Sequence, residues 1–89
     1  MLLTINNLNG TNVDIIEVKI KGKNYKIVPP IKSGESRQEQ VDTIDSSMSV
    51  VVLYPSSNNS LTVPIKGNHF TTDSITLYKE SGTGNLRLR

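Results

Sequence analysis

Between Asp14 and Val28 the chain reads DIIEVKIKGKNYKIV, two runs of alternating apolar and polar residues that meet at Gly22. Strict alternation is the period of a half-buried strand, and a glycine between two such runs reads as a hairpin turn. A turn at Gly22-Lys23 sets Ile20 opposite Tyr25 and Val18 opposite Ile27, so both apolar rows share one face. The other face then carries Lys19 directly across from Lys26, with Lys21 beside them. Opposed like charges disfavour a hairpin, so this patch is either solvated surface or a seat for an anion. By the same alternation Ile16 points inward, and Ile15 lies outward among the lysines.

The rest of the chain repeats the strand signal. Leu2–Asn6 alternates with Leu3 and Ile5 on one face, and Asn7-Leu8-Asn9-Gly10 follows as a turn. The return strand of the lysine hairpin is expected to stop at Pro29-Pro30, which cannot donate to a ladder. Ser36–Ile44, polar except for Val41 and Ile44, reads as an edge strand or extended loop. Met48–Tyr54 is the most apolar run and reads as a central strand. Its partner Leu61–Lys66 is expected to set Tyr54 opposite Leu61, Val52 opposite Val63 and Val50 opposite Ile65. Pro64 then lies on the outward side, which argues for a sheet edge. Ser74–Lys79 and Leu86–Arg89 complete the series, with a glycine-rich turn at 81–85 between them.

Composition supports an all-β class. The chain has no alanine and is rich in Ile, Val and Thr, which suit strands, and in Ser and Asn, which suit turns. About seven short strands at a spacing of roughly 8–12 residues point to a small antiparallel β-sandwich. The pattern is immunoglobulin-like in a general way, without the Cys…Trp…Cys core of true immunoglobulin domains. With 89 residues, the whole of 1–89 is expected to form one such domain. A chain this short buries only about 60–65% of the surface its unfolded form exposes. A deep ligand pocket is then easier to build between copies than within one, so self-association is expected.

Most chemistry is excluded by what the chain lacks. It has no cysteine and one histidine, too few ligands for zinc, and Asp42 and Asp45 do not match a calcium loop. His69 lies close to Asp73 and Ser74 in sequence, but neighbours on one loop seldom form a catalytic geometry. Gly82-Thr83-Gly84 lacks the following helix that a phosphate-binding loop needs and reads as a hairpin turn. No catalytic residue, metal ligand or cofactor is therefore expected. No apolar run approaches the ~20 residues of a membrane span, and the N-terminus has no signal-peptide pattern, so a cytoplasmic location is expected.

What remains is binding. The leading expectation is a non-catalytic protein-interaction or inhibitor module acting on a protein partner or on itself, of a kind that suits a small phage or mobile-element antagonist. Exposed strand edges at Leu2–Asn6 and Leu86–Arg89 are the expected docking elements, with Leu3, Ile5, Ile15, Leu86 and Leu88 as docking residues. An alternative is a protein that sequesters a nucleotide-like anion through Lys19, Lys21 and Lys26, with Lys79, Arg87 and Arg89 around the last turn. Nucleic acid is disfavoured, because the chain offers only four aromatic residues for stacking. A structural or decoration component of a larger assembly is the third reading.

Overall fold

The computed structural model describes residues 1–45, 47–65 and 73–89. Its strands are β1 (Leu2–Leu8), β2 (Asp14–Ile20), β3 (Lys23–Ile31), β4 (Ser36–Gln40), β5 (Ser49–Tyr54), β6 (Asn59–Pro64), β7 (Ser74–Lys79) and β8 (Leu86–Leu88). No helix occurs among the described residues. The strands form two four-stranded sheets, ordered β4-β1-β7-β8 and β3-β2-β5-β6. We refer to these as the first and second sheets. β2–β3, β5–β6 and β7–β8 are antiparallel neighbours, and β1 runs parallel to β7. The expected small β-sandwich is therefore the observed fold, with eight strands where about seven were expected.

The core lies between the sheets and is built by alternation. Leu3 and Ile5 of β1, Ile75 and Leu77 of β7 and Leu88 of β8 meet Ile15, Val18, Val50 and Val52 of the second sheet, all fully buried. Burying a side chain of this kind contributes about 1.5–3 kcal/mol, so this layer carries most of the folding drive.

Strand partners differ from expectation in a consistent way. The β2–β3 turn is Lys21-Gly22, with φ of 50° and 76°. Both central residues of a mirror-type hairpin turn need positive φ, and this placement puts the glycine second, as in an Asn-Gly turn. Val18 therefore faces Tyr25, Lys19 faces Asn24, and Lys26 faces Glu17. The expected opposition of Lys19 and Lys26 does not form. In the β5–β6 hairpin Asn58 takes a φ of 57°, so the chain turns back early and Tyr54 pairs with Asn59, Val52 with Leu61 and Val50 with Val63. Both shifts equal two residues, so inward residues stay inward while their partners change.

A second departure does change a face. Ile15 pairs with Val52 and Glu17 with Val51, leaving Ile16 as the extra residue of a β-bulge. The bulge resets the alternation, so Ile15 is buried and Ile16 half-buried, the reverse of the expectation. On the other side of β2, β3 continues through Val28, Pro29 and Pro30 to the buried Ile31, which pairs with Ile15. The strand does not stop at the prolines, because the segment bows out of the ladder and rejoins it.

Sheet order overturns one further expectation. β1 is an interior strand between β4 and β7, so Leu2–Asn6 is no edge. β4 is an edge strand, confined to Ser36–Gln40, and β6 and β8 are the edges at the other side.

Candidate functional site

The two sides of the sandwich are unlike. On the β3/β4 side the sheets are tied together. Arg37 of β4 donates from its guanidinium to the carbonyl oxygens of Pro29 and Pro30 on β3. The Asp42 backbone N–H donates to the Tyr25 hydroxyl at 3.1 Å, and Lys23 pairs with Asp42. At the hairpin tip the Lys21 N–H donates to Ser47 Oγ at 3.0 Å, while Lys21 Nζ lies 3.4 Å from Asp45. The Lys23 ammonium, hydrogen-bonded to Asp42, holds that carboxyl below its ordinary range, and the Ser47 hydroxyl does so first for Asp45. Lys23 is correspondingly raised by Asp42.

Three lysines of the run are therefore paired charges. Lys21, Lys23 and Lys32 each meet a carboxylate, Lys32 at 3.6 Å from the buried Asp14. Lys26 stands across from Glu17, so the two opposed lysines on which an anion clamp depends are not brought together. At the far corner Lys79, Arg87 and Arg89 do gather around the β7–β8 hairpin. Arg87 Nε lies 3.2 Å from Glu80, and the Arg89 guanidinium stacks 4.3 Å from the Tyr78 ring centre. Arg87 pairs with Tyr78 in the ladder and Lys79 with Leu86, so Lys79 and Arg87 belong to opposite faces of the sheet. The Gly84 amide donates to the Glu80 carbonyl at 3.0 Å, as befits a hairpin turn.

The expected docking residues lie inside the protein. Leu3, Ile5, Ile15 and Leu88 are fully buried, and Leu86 is partly buried against the core. Their alternation marks the core face, because strands pack the same residues inward that an exposed edge would offer to a partner. His69 and Phe70 lie outside the described residues. Of the groups near His69 in sequence, the Asp73 carbonyl accepts from Thr4 N–H at 2.8 Å, and Ser74 Oγ accepts from Asn6 at 3.2 Å. No cluster of three His, Cys, Asp or Glu side chains exists among the described residues. Nor is any helix there long and apolar enough to cross a membrane.

The open side is the candidate site. Apart from a single parallel bridge between Ile65 and Leu88, no ladder joins β6 to β8 among the described residues. Pro64 has no N–H to give and stands at the gap. Two adjoining depressions of about 310 and 350 Å³ follow this seam, sharing Val63, Pro64, Leu86 and Arg87 as walls. Tyr54 and Leu61 extend the first depression. Leu61 is 48% exposed although it faces the interior side of its strand. The seam combines half-covered apolar side chains with the cationic hairpin corner. Leu61, Pro64 and Tyr54 were not singled out from the sequence as site residues, although Pro64 did mark its strand as an edge. What the sequence lacks is the identity of the strand facing that edge.

Comparison with protein-family models, curated proteins and solved structures finds no significant match.

Proposed function

We propose that the protein is a non-catalytic binding module that takes an extended segment of a protein partner into the β6/β8 seam. The observation that carries this reading is the contrast between the two sides. The β3/β4 side is tied by Arg37, Tyr25 and two lysine–aspartate pairs, whereas the β6/β8 side leaves apolar walls half-covered. A strand laid along an exposed edge gains main-chain hydrogen bonds, and alternate side chains supply specificity. The seam suits leucine- or valine-sized groups at alternate positions, against Leu61, Val63 and Leu86. Arg87 lines both depressions, and its guanidinium favours an acidic residue flanking the apolar positions. Inhibition of that partner by masking its segment is the natural consequence. The rival anion-sequestering reading draws less support, since Lys26 stands across from Glu17 and Lys21 lies 3.4 Å from Asp45.

Selection of displayed, unstructured peptides on the folded protein tests this. Enriched peptides should alternate apolar residues beside Asp or Glu. They should lose at least tenfold in affinity for Leu61→Asp, and retain it for Val28→Asp, whose position is 80% exposed. No enrichment, or equal binding to Leu61→Asp, contradicts the reading.

A further inference from the structure

Among the described residues, four strands end a sheet: β3, β4 and β8 carry charged residues, and β6 carries none. Charge on an edge strand deters pairing with another chain, and on β6 only Pro64, at its last position, serves that end. The register of the β5–β6 hairpin shows which main-chain groups β6 holds out. Ile65 N–H donates to the Met48 carbonyl at 2.9 Å, which marks that pair as a hydrogen-bonded one. In an antiparallel ladder such pairs recur at every second residue, so Val63 and Leu61 turn their N–H and C=O toward Val50 and Val52 of β5. Ser60 and Thr62 turn theirs away, toward the seam, where no ladder takes them up among the described residues. β8 offers less. Thr76 and Arg89 exchange both of their bonds, at 2.8 and 3.0 Å, so Arg87 and Arg89 face β7 while Leu86 and Leu88 face the seam. Leu88 is already in the bridge to Ile65, which leaves Leu86.

We propose, resting on the seam reading above, that the partner segment joins β6 and runs antiparallel to it, held by the main chain of Ser60 and Thr62. The bridge at Ile65 closes the seam at one end, so the free edge is short. An antiparallel guest satisfies all four free groups with two of its own residues, one opposite Ser60 and one opposite Thr62. A parallel guest needs three, because its slanted bonds join each host residue to two guest residues, and its pairing is slightly less stable.

The register also fixes what the segment must contain. The guest residue between those two lies opposite Leu61 and shares its face, so it is the apolar residue that covers the half-exposed Leu61 side chain. Its own N–H and C=O point away from β6. The two flanking residues turn their side chains outward and give their N–H groups to β6. Proline has no N–H, so it is excluded from both flanks and tolerated at the apolar position between them. The partner class is thus an extended segment with one apolar residue between two residues other than proline.

A peptide from the displayed selection whose binding depends on Leu61 is the probe, N-methylated on its backbone one position at a time. Methylation at either flank should cost about tenfold or more in affinity, and at the apolar residue between them no more than about threefold. Direction is read from a nitroxide on the peptide. At its N-terminus the label should broaden the Val63 amide more than the Asn59 amide, and at its C-terminus the reverse. Loss at the apolar position with the flanks tolerant overturns the choice of β6, and the opposite broadening overturns the antiparallel direction. Either result leaves the seam reading standing. The absence of any Leu61-dependent peptide removes both.

Discussion

Few side chains in this protein set its architecture as directly as Asn7. Fully buried on β1, it donates from Nδ2 to the carbonyls of Val13 and Ile31 at 2.9 Å each, and so ties the first sheet to the second. Asn9, also buried, joins the network through Asn7 and accepts from Thr11 N–H at 2.7 Å. Asn7→Ala takes its donor from the Ile31 carbonyl, leaves the Val13 carbonyl with Asn9 Nδ2 alone at 3.3 Å, and should destabilise the fold by about 1–3 kcal/mol, read as a lowered urea midpoint. A neutral result would mean that the latch does not hold the sheets. Gly22 is the second such position: at φ 76° with open space around it, Gly22→Ala should cost about 1–2 kcal/mol by backbone strain alone. Asp42 and Asp45 act through charge. Their carboxyls are held below the ordinary value in the folded state, so the stability they contribute is present above the unfolded carboxylate pKa of about 3.9 and is lost as the pH falls through the folded values. Lys23, raised by Asp42, has the opposite sign: its contribution is lost only as the pH rises above its folded value. Exchange at the Lys21 and Asp42 amides, relative to its intrinsic rate at each pH, should therefore quicken as the pH falls below about 4, before the core amides respond. The same acceleration in Asp42→Asn with Asp45→Asn would contradict that assignment.

At the scale of elements, period-2 alternation reports which face a residue takes and says little about which residue it meets. Val18, Val50, Val63, Ile75 and Leu77 were all readable as inward from the chain itself, and all are buried. Both hairpins nevertheless pair each residue with a partner two positions earlier than expected, because Lys21 and Asn58 accept positive φ. Propensity rules favour glycine there but do not exclude other residues. The Ile16 bulge was hidden for a related reason: an extra residue leaves no mark on a hydrophobic pattern that already holds Ile15 and Ile16 side by side. These offsets decide the fate of the lysine hairpin, since one two-residue shift replaces a lysine–lysine opposition with Lys26 against Glu17. Lys19→Glu together with Lys26→Glu should accordingly leave binding of seam-selected peptides within about twofold, while Lys26→Glu alone creates a like-charge pair worth a few tenths of a kcal/mol to 1 kcal/mol in lost stability. A tenfold loss of peptide binding in the double variant would return the site to the lysine face.

For the whole molecule, the order of strands within each sheet is the information that the sequence holds least openly. Nothing local declares that β1 lies between β4 and β7, or that β6 comes to face β8. Yet those two facts bury the residues that alternation alone offers for docking and leave Leu61 and Leu86 beside an open seam. Among the described residues, the sheets are bound by side-chain bridges at one margin and by a single backbone bridge at the other. In the proposed reading, the tied margin keeps the sandwich folded and the other is left for an added strand. The most direct measurement is the amide spectrum of the labelled protein titrated with a seam-selected peptide. Shifts confined to Asn59–Val63 and Leu86–Leu88, with the amides of β3 and β4 unmoved, are the predicted result. Shifts centred on Lys19 and Lys26, or on the Arg37 margin, would contradict the account.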